Sequence, residues 1–280
     1  MSSLTKIGII GQGFVGTAIK EGMPNFMDVH TYDKFFEDKS NCKSVKEIAD
    51  KSEIIFVCLP TPMKKDGSCD ISIVEETVNK IDNFNNSNIV VIKSTIPPGT
   101  TEKFNEKCKN IQVVFNPEFL TEANYIEDFK NQNRIIIGGP FQAVSMVKNF
   151  YVKIFRDATI IKTNSTTAEC VKYLTNCFLA TKVSFANEFK QICDAAGVDY
   201  DKVVEYALHD SRIGRTHLAV PGPDGNYGFG GSCFPKDVNA IAHFAKANNI
   251  ITSVLDGVWE KNLEVRPDKD WEKLKGRAVT

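Results

Sequence analysis

No apolar run in this sequence approaches the roughly 20 residues that a membrane span requires. The polar start MSSLTK (1–6) also lacks the apolar core of a signal peptide, so a cytoplasmic protein is expected. Excess charge of one sign is missing too. Lys and Arg number 34 against 35 Asp and Glu, a net charge of -1, which leaves no broad basic field for nucleic acid and requires any anion to be held locally. Metal-ligand spacing is absent: the cysteines (Cys42, Cys58, Cys69, Cys108, Cys170, Cys177, Cys193, Cys233) include no C-x-x-C pair, and His30, His209, His217 and His243 are scattered. With no export signal and no disulfide framework, most of these thiols are expected to be reduced. There are no repeats and no low-complexity tracts.

What is present is an ordinary globular composition, 42% hydrophobic and 25% charged, in a chain of 280 residues, long enough for two domains. Through the first half, short β-branched runs alternate with polar or amphipathic stretches, the signature of βαβ units and a parallel sheet. The runs are 7–10, 29–32, 54–59, 89–93, 113–116, 134–138 and 159–162. They predict an α/β protein in which residues 1–164 form a Rossmann-type, doubly wound domain. From about Thr166 apolar residues recur at helical spacing, with no Gly or Pro before Gly197, which predicts a helix of about thirty residues. It is a candidate spine between domains and a candidate dimer surface; burial within one subunit explains the pattern equally well. Shorter helices are expected over 198–209 and 236–249, joined by a Gly/Pro-rich loop over 211–235. Residues 165–280 thus form an expected helical domain for dimerisation and catalysis. Its charged tail begins, on this reading, as an exposed linker.

Gly11, Gly13 and Gly16 form a G-x-G-x-x-G array between the first strand and a helix expected to begin near Phe14. The first glycine permits the tight turn, the second lets backbone approach a pyrophosphate, and the third allows close helix packing. Phe14 and Val15 open the helix whose N-terminus would face the anion. Asp33 ends the second strand, where a carboxylate would accept a ribose hydroxyl and repel a 2′-phosphate, so NAD is favoured over NADP; Lys34 next door weakens that preference.

Seven further motifs stand in order: CLPTP (58–62), KSTIPPGT (93–100), NPEFLTE (116–122), KYLTN (172–176), FANE (185–188), SRIG (211–214) and GFGGSCFPKD (228–237). From about residue 6 to about residue 247 the chain resembles the UDP-glucose/GDP-mannose dehydrogenase family. The resemblance implies a four-electron oxidation of a nucleotide-sugar C6 alcohol to the carboxylate with NAD, with UDP-glucose as first candidate and GDP-mannose or an N-acetylated UDP-sugar as alternatives. It makes Cys233 the nucleophile that carries a thiohemiacetal and then a thioester. The residues agree: Cys233 lies near a helix start and three residues before Lys236, and dipole and ammonium both favour a thiolate. Gly228, Gly230 and Gly231 would let a bulky sugar nucleotide lie against backbone beside it.

By the same resemblance Lys172 and Asn176, four residues apart on one helix face, stabilise oxyanions. Asp237 works with a water in proton transfer; its place at a helix start also suits a cap. Glu118 activates water for thioester hydrolysis, and Phe119, Leu120 and Gly230 line the sugar site. Glu122, Thr61, Thr95 and Lys236 contact the cofactor, Thr95 also lying near the catalytic water, although both threonines would equally close turns before prolines. Arg212 reaches the substrate from a neighbouring subunit, which implies a homodimer; taken alone it reads as a solvated loop charge.

Full-length members carry a third, C-terminal nucleotide-binding domain that grips UDP. No glycine-rich βαβ pattern follows Trp259, so that domain is expected to be absent, naturally or because the chain is a fragment. The loop 217–228 is open between supplying anion-binding turns and serving as a flexible linker. Two other functions stay open. A 3-hydroxyacid dehydrogenase shares the Rossmann domain and a lysine on the linking helix but leaves the cysteine motif unexplained, and a binding protein would keep the cofactor fold without turnover.

Overall fold

Each of the seven β-branched runs forms a strand in the computed structural model, which describes residues 5–280. In chain order the elements are β1 (Lys6–Ile10), α1 (Phe14–Gly22), β2 (Asp28–Tyr32), α2 (Val45–Lys51), β3 (Ile54–Val57), α3 (Ser72–Asp82), β4 (Ile89–Ile92), α4 (Thr100–Lys107) and β5 (Gln112–Phe115). There follow α5 (Tyr125–Lys130), β6 (Arg134–Gly138), α6 (Phe141–Val152), β7 (Thr159–Thr163), α7 (Ser165–Ala196), α8 (Tyr200–Ala207), α9 (Cys233–Ala247) and α10 (Ser253–Val265). The chain divides into two compact units, one comprising residues up to Thr61 together with Ile71–Lys172, the other Pro62–Asp70 with Tyr173–Thr280.

The first unit is built on one sheet in the order β2-β1-β3-β4-β5-β6-β7. Its central strands read as continuous apolar runs because both faces are covered. Ile7, Ile9, Ile54, Phe56, Val91 and Val114 point to a core under α1, α5 and α6. Ile10, Ile55, Val57, Val90, Ile92 and Phe115 point to the opposite core, under α2, α3 and α4. The strand order reverses between β1 and β3, the switch point beyond which such sheets bind ligands. β1 to β5 are parallel, as expected, but β6 pairs antiparallel with β5 through Phe115 and Gly138, and β7 follows β6. The six-residue α5, about 9 Å long, does not return the chain along the sheet, and Asn116 extends the pairing by donating from Nδ2 to the Ile136 carbonyl (2.7 Å).

The division between units falls inside α7 at Lys172 instead of at 164/165, because the first turns of that helix pack on the sheet unit. Ala168 is fully buried in the second core, and Glu169 caps α4 by accepting from Gly99 N (2.6 Å), Thr101 N (2.9 Å) and Thr101 Oγ1 (2.6 Å). Glu169 is fully buried, and burial raises its carboxyl against the opposing pull of those hydrogen bonds.

The second unit packs the remainder of α7 with α9 and α10 around Cys177, Ala180, Phe229, Val238 and Val258, and with α8 around Ala186, Cys193, Tyr200 and Val220. Its tail is not an exposed linker. Arg266 and Trp271 are buried, Trp271 lies 5.2 Å from Trp259 between ring centroids, and the chain ends paired to Met63 through Met63 N to Ala278 O (2.8 Å) and Thr280 N to Met63 O (3.0 Å). The physical reason is amphipathic: Trp271 and Ala278 supply the apolar surface that the charged composition of this segment conceals. The loop 217–228 is likewise tied down, with Tyr200 Oη donating to Leu218 O (2.7 Å) and Arg266 paired to Asp224. Along α7 in this unit Leu174, Phe178, Phe185, Phe189 and Ile192 form an exposed apolar stripe.

Candidate active site

At the head of the sheet Gly11 adopts φ +94°, and its N–H donates to Tyr32 O (2.9 Å). A Cβ on Gly16 would collide with the Gly11 carbonyl, whereas one on Gly13 would meet nothing within 4 Å. Bare backbone therefore faces open space at the N-cap of α1, where Phe14 and Val15 begin the helix. Asp33 closes this cradle by accepting from Gln12 N (2.6 Å), Phe35 N (2.7 Å) and Phe36 N (3.1 Å), with a lone pair on Oδ2 left for a ribose hydroxyl. Lys39, which the sequence did not single out, brings its ammonium to 3.5 Å from the Gln12 carbonyl. Glycine turn, helix N-terminus and carboxylate together fit a dinucleotide. Thr61 and Thr95 are buried, and Thr61 Oγ1 donates to the Thr95 carbonyl (2.8 Å), joining the loops that follow β3 and β4. Glu122 is exposed.

Beyond β5 the chain enters a buried polar cluster. Lys172 Nζ lies 3.0 Å from Glu118 Oε1 and donates to the Glu118 carbonyl (2.7 Å), while Glu118 Oε2 accepts from Leu120 N (2.7 Å). Burial works against the Glu118 carboxylate, but Lys172, the Leu120 N–H and Lys93 hold it below the ordinary range. Lys172 is buried, 3% exposed. Lys93, at the end of β4, donates to Asn116 Oδ1 (2.9 Å), which also accepts from Tyr151 Oη (2.5 Å). Burial pushes Lys93 down to about 8, and Cys58 beside it up to about 12. Phe119 lies under the Arg134 guanidinium (4.2 Å) and near the Lys172 ammonium (5.5 Å); Leu120 packs on the first core. An ionised acid, a fixed ammonium and a second amine whose charge burial disfavours suit proton transfer and oxyanion stabilisation.

In the second unit α9 starts three residues earlier than the sequence suggested, at Cys233, with Ser232 at the N-cap position and Pro235 within the first turn. Asp237 is therefore not the cap. It lies in the second turn, 1% exposed, accepting from Asn176 Nδ2 (2.6 Å) and from Lys236 Nζ. Burial opposes the Lys236 charge, yet Asp237, Cys233 and Cys69 raise it above the ordinary lysine value. Cys233 is half-buried. Of the three glycines before it only Gly231 (φ +68°) faces open space; a Cβ on Gly228 would strike Asn262, and one on Gly230 would strike Arg266 and Asp270. Arg212 is exposed and forks onto Asp210 of its own loop (2.9 Å from Nε). Among the described residues no group of three or more metal-binding side chains is found, and no helix is long and apolar enough to cross a membrane.

Two profiles match the chain: the NAD binding domain of the UDP-glucose/GDP-mannose dehydrogenase family over residues 34–158, and the central domain of the same family over residues 166–264. The chain belongs to this family. Its cofactor is NAD; the glycine turn lies before the first matched residue. UDP-glucose 6-dehydrogenase TuaD of Bacillus subtilis is 37% identical over 224 residues, 77% of this chain and 47% of that protein. The chain spans about half the length of the curated relatives it matches. A UDP-glucose dehydrogenase structure from Pyrobaculum islandicum superposes with a TM-score of 0.85 at 29% identity, covering 98% of this chain and 71% of that one. A Mycobacterium tuberculosis 3-hydroxyisobutyrate dehydrogenase structure covers 95% of both chains with a TM-score of 0.78, but at 14% identity it shares the fold alone.

Proposed function

We propose that this family member carries the oxidation chemistry of a UDP-glucose 6-dehydrogenase, converting the sugar C6 alcohol to a carboxylate in the cytoplasm. The observation that carries the proposal is Cys233 as the first residue of a 15-residue helix, with Lys236 one turn on. Helix N-terminus and ammonium both favour the thiolate. Bound NAD supplies the hydride acceptor for each of two oxidations.

Asp237, working through a water, takes the C6 hydroxyl proton, and Lys172 and Asn176 donate to the developing oxyanion. The Cys233 thiolate adds to the aldehyde carbon, the carbonyl electron pair moving to oxygen, and the second oxidation leaves a thioester on the sulfur. Glu118, already in the ionised form a base needs, takes a proton from water; the resulting hydroxide adds to the thioester carbonyl and expels the thiolate. Thr61, Thr95, Glu122 and Lys236 are assigned to the cofactor side, and Phe119 and Leu120 to the sugar side, whereas the space at Gly230 is taken by Arg266 and Asp270. All eight cysteines are thiols, consistent with a reducing compartment. A homodimer belongs to the same proposal. The stripe on α7 repeats at the spacing of one helix face, and a second copy covering it would give Arg212 its reach.

With UDP-glucose and NAD the protein should release two NADH per sugar, and Cys233→Ser should stop at or before the first. GDP-mannose and N-acetylated UDP-sugars run in parallel identify the substrate. NAD binding with no NADH from any sugar would leave a binding protein. Light scattering at assay concentration reads the oligomer, and a monomer that turns over removes the dimer and the role of Arg212 with it.

A further inference from the structure

Resting on the nucleophile assignment above, we infer that Asn262, Arg266 and Asp270 are positioning residues for Cys233, holding the segment Gly228–Ser232 in the conformation that starts α9 at the cysteine. That segment has no regular structure, and its two left-handed glycines, Gly228 and Gly231, make it intrinsically adaptable. It is instead held from α10 and the turn beyond it. Asn262, fully buried, takes both backbone groups of Phe229, accepting from its N–H (2.7 Å) and donating to its carbonyl (3.0 Å) as a neighbouring strand would.

Arg266, with a side chain 5% exposed, donates to Asp270 Oδ1 (2.6 Å), Asp224 Oδ2 (2.7 Å) and Tyr227 O (3.3 Å). Asp270 Oδ2 in turn accepts from Gly231 N (3.1 Å), two residues before the thiol. Gly228 and Gly230 are shaped for this clamp, since a Cβ on either would strike one of its members. An ion pair anchored on a buried guanidinium is a weak source of stability but a strong constraint on geometry. A segment that only had to connect two helices would not require one. Released from the clamp, the first turn of α9 frays and Cys233 leaves the field of the helix N-terminus, which falls off within a turn.

The test is the rate of iodoacetamide alkylation of each cysteine, followed by peptide mass spectrometry across the neutral pH range in the full chain. Exposed Cys170 serves as the reference and buried Cys177 and Cys193 as reporters of loosening. In Asp270→Asn and Arg266→Lys, Cys233 should slow by about tenfold at neutral pH, the scale of one lost charge-assisted hydrogen bond. Its pH profile should move toward that of an ordinary thiol, with Cys177 and Cys193 still protected. Gly230→Ala displaces the same pair without altering a charge and must act alike. Unchanged Cys233 rates in the folded variants overturn the proposal, as do rates that change only together with those of Cys177 and Cys193, or failure of all three variants to fold. A wild-type Cys233 no faster than Cys170 removes the nucleophile assignment itself, whatever the variants do.

Discussion

Replacing Lys172 with Met removes one half of a buried pair and keeps the shape of the other. The ammonium and the Glu118 carboxylate are 3.0 Å apart, with side chains 4% and 12% exposed. Stranding a carboxylate in such a place costs about 3 kcal/mol at neutral pH, the lower end for a broken buried pair because Lys93 remains within electrostatic reach. The pH dependence separates this cause from lost packing. In the wild type the folded Glu118 carboxyl is held below its ordinary value of 4.5, so its stabilisation is complete above that value and is lost as pH falls through the folded one. In the variant, burial acts with less opposition and the carboxyl rises. The folded variant then takes up its proton earlier, and the penalty fades as pH falls. Urea unfolding of both proteins at several pH values should show a gap that is widest near neutrality and narrows on acidification. A gap independent of pH would refute the electrostatic account and leave only the loss of a packed side chain.

Lys93→Met reports the opposite titration. Because burial lowers the folded Lys93 from 10.5 to about 8, wild type should gain on the variant by on the order of 3 kcal/mol as pH rises between those values, read by the same unfolding assay. A flat difference would mean that Lys93 is solvated. Gly16→Ala should weaken NAD binding by at least about tenfold in calorimetry, because a Cβ there displaces the Gly11 carbonyl from the turn; unaltered affinity would place the dinucleotide elsewhere.

The sheet was legible because each strand carries its own apolar run, and the long helix because Ser165–Ala196 contains neither Gly nor Pro. The reversal of β6 was not, since the local pattern of Arg134–Gly138 is the same in either direction. Cys233, Glu118 and Asp33 were visible through motifs that tie residue type to spacing. Lys93 carries a signal of its own, a charge ending an otherwise apolar strand run. Arg266 and Asp270 left none, because their meaning comes from Gly231, more than thirty residues away. For the same reason Gly228 and Gly230 were read as room for a ligand, when side chains of their own unit fill that room.

The pairing of Met63 with Ala278 and Thr280 joins positions more than two hundred residues apart. Contacts of such long range are made late, since loop closure must precede any reward from them. During synthesis the sheet unit can therefore complete itself while the helical unit waits for its last strand of backbone to emerge. A fragment begun at Tyr173 would lack Pro62–Asp70 and would have to leave that backbone unmated, so expression of the second unit calls for grafting that segment, not trimming the chain.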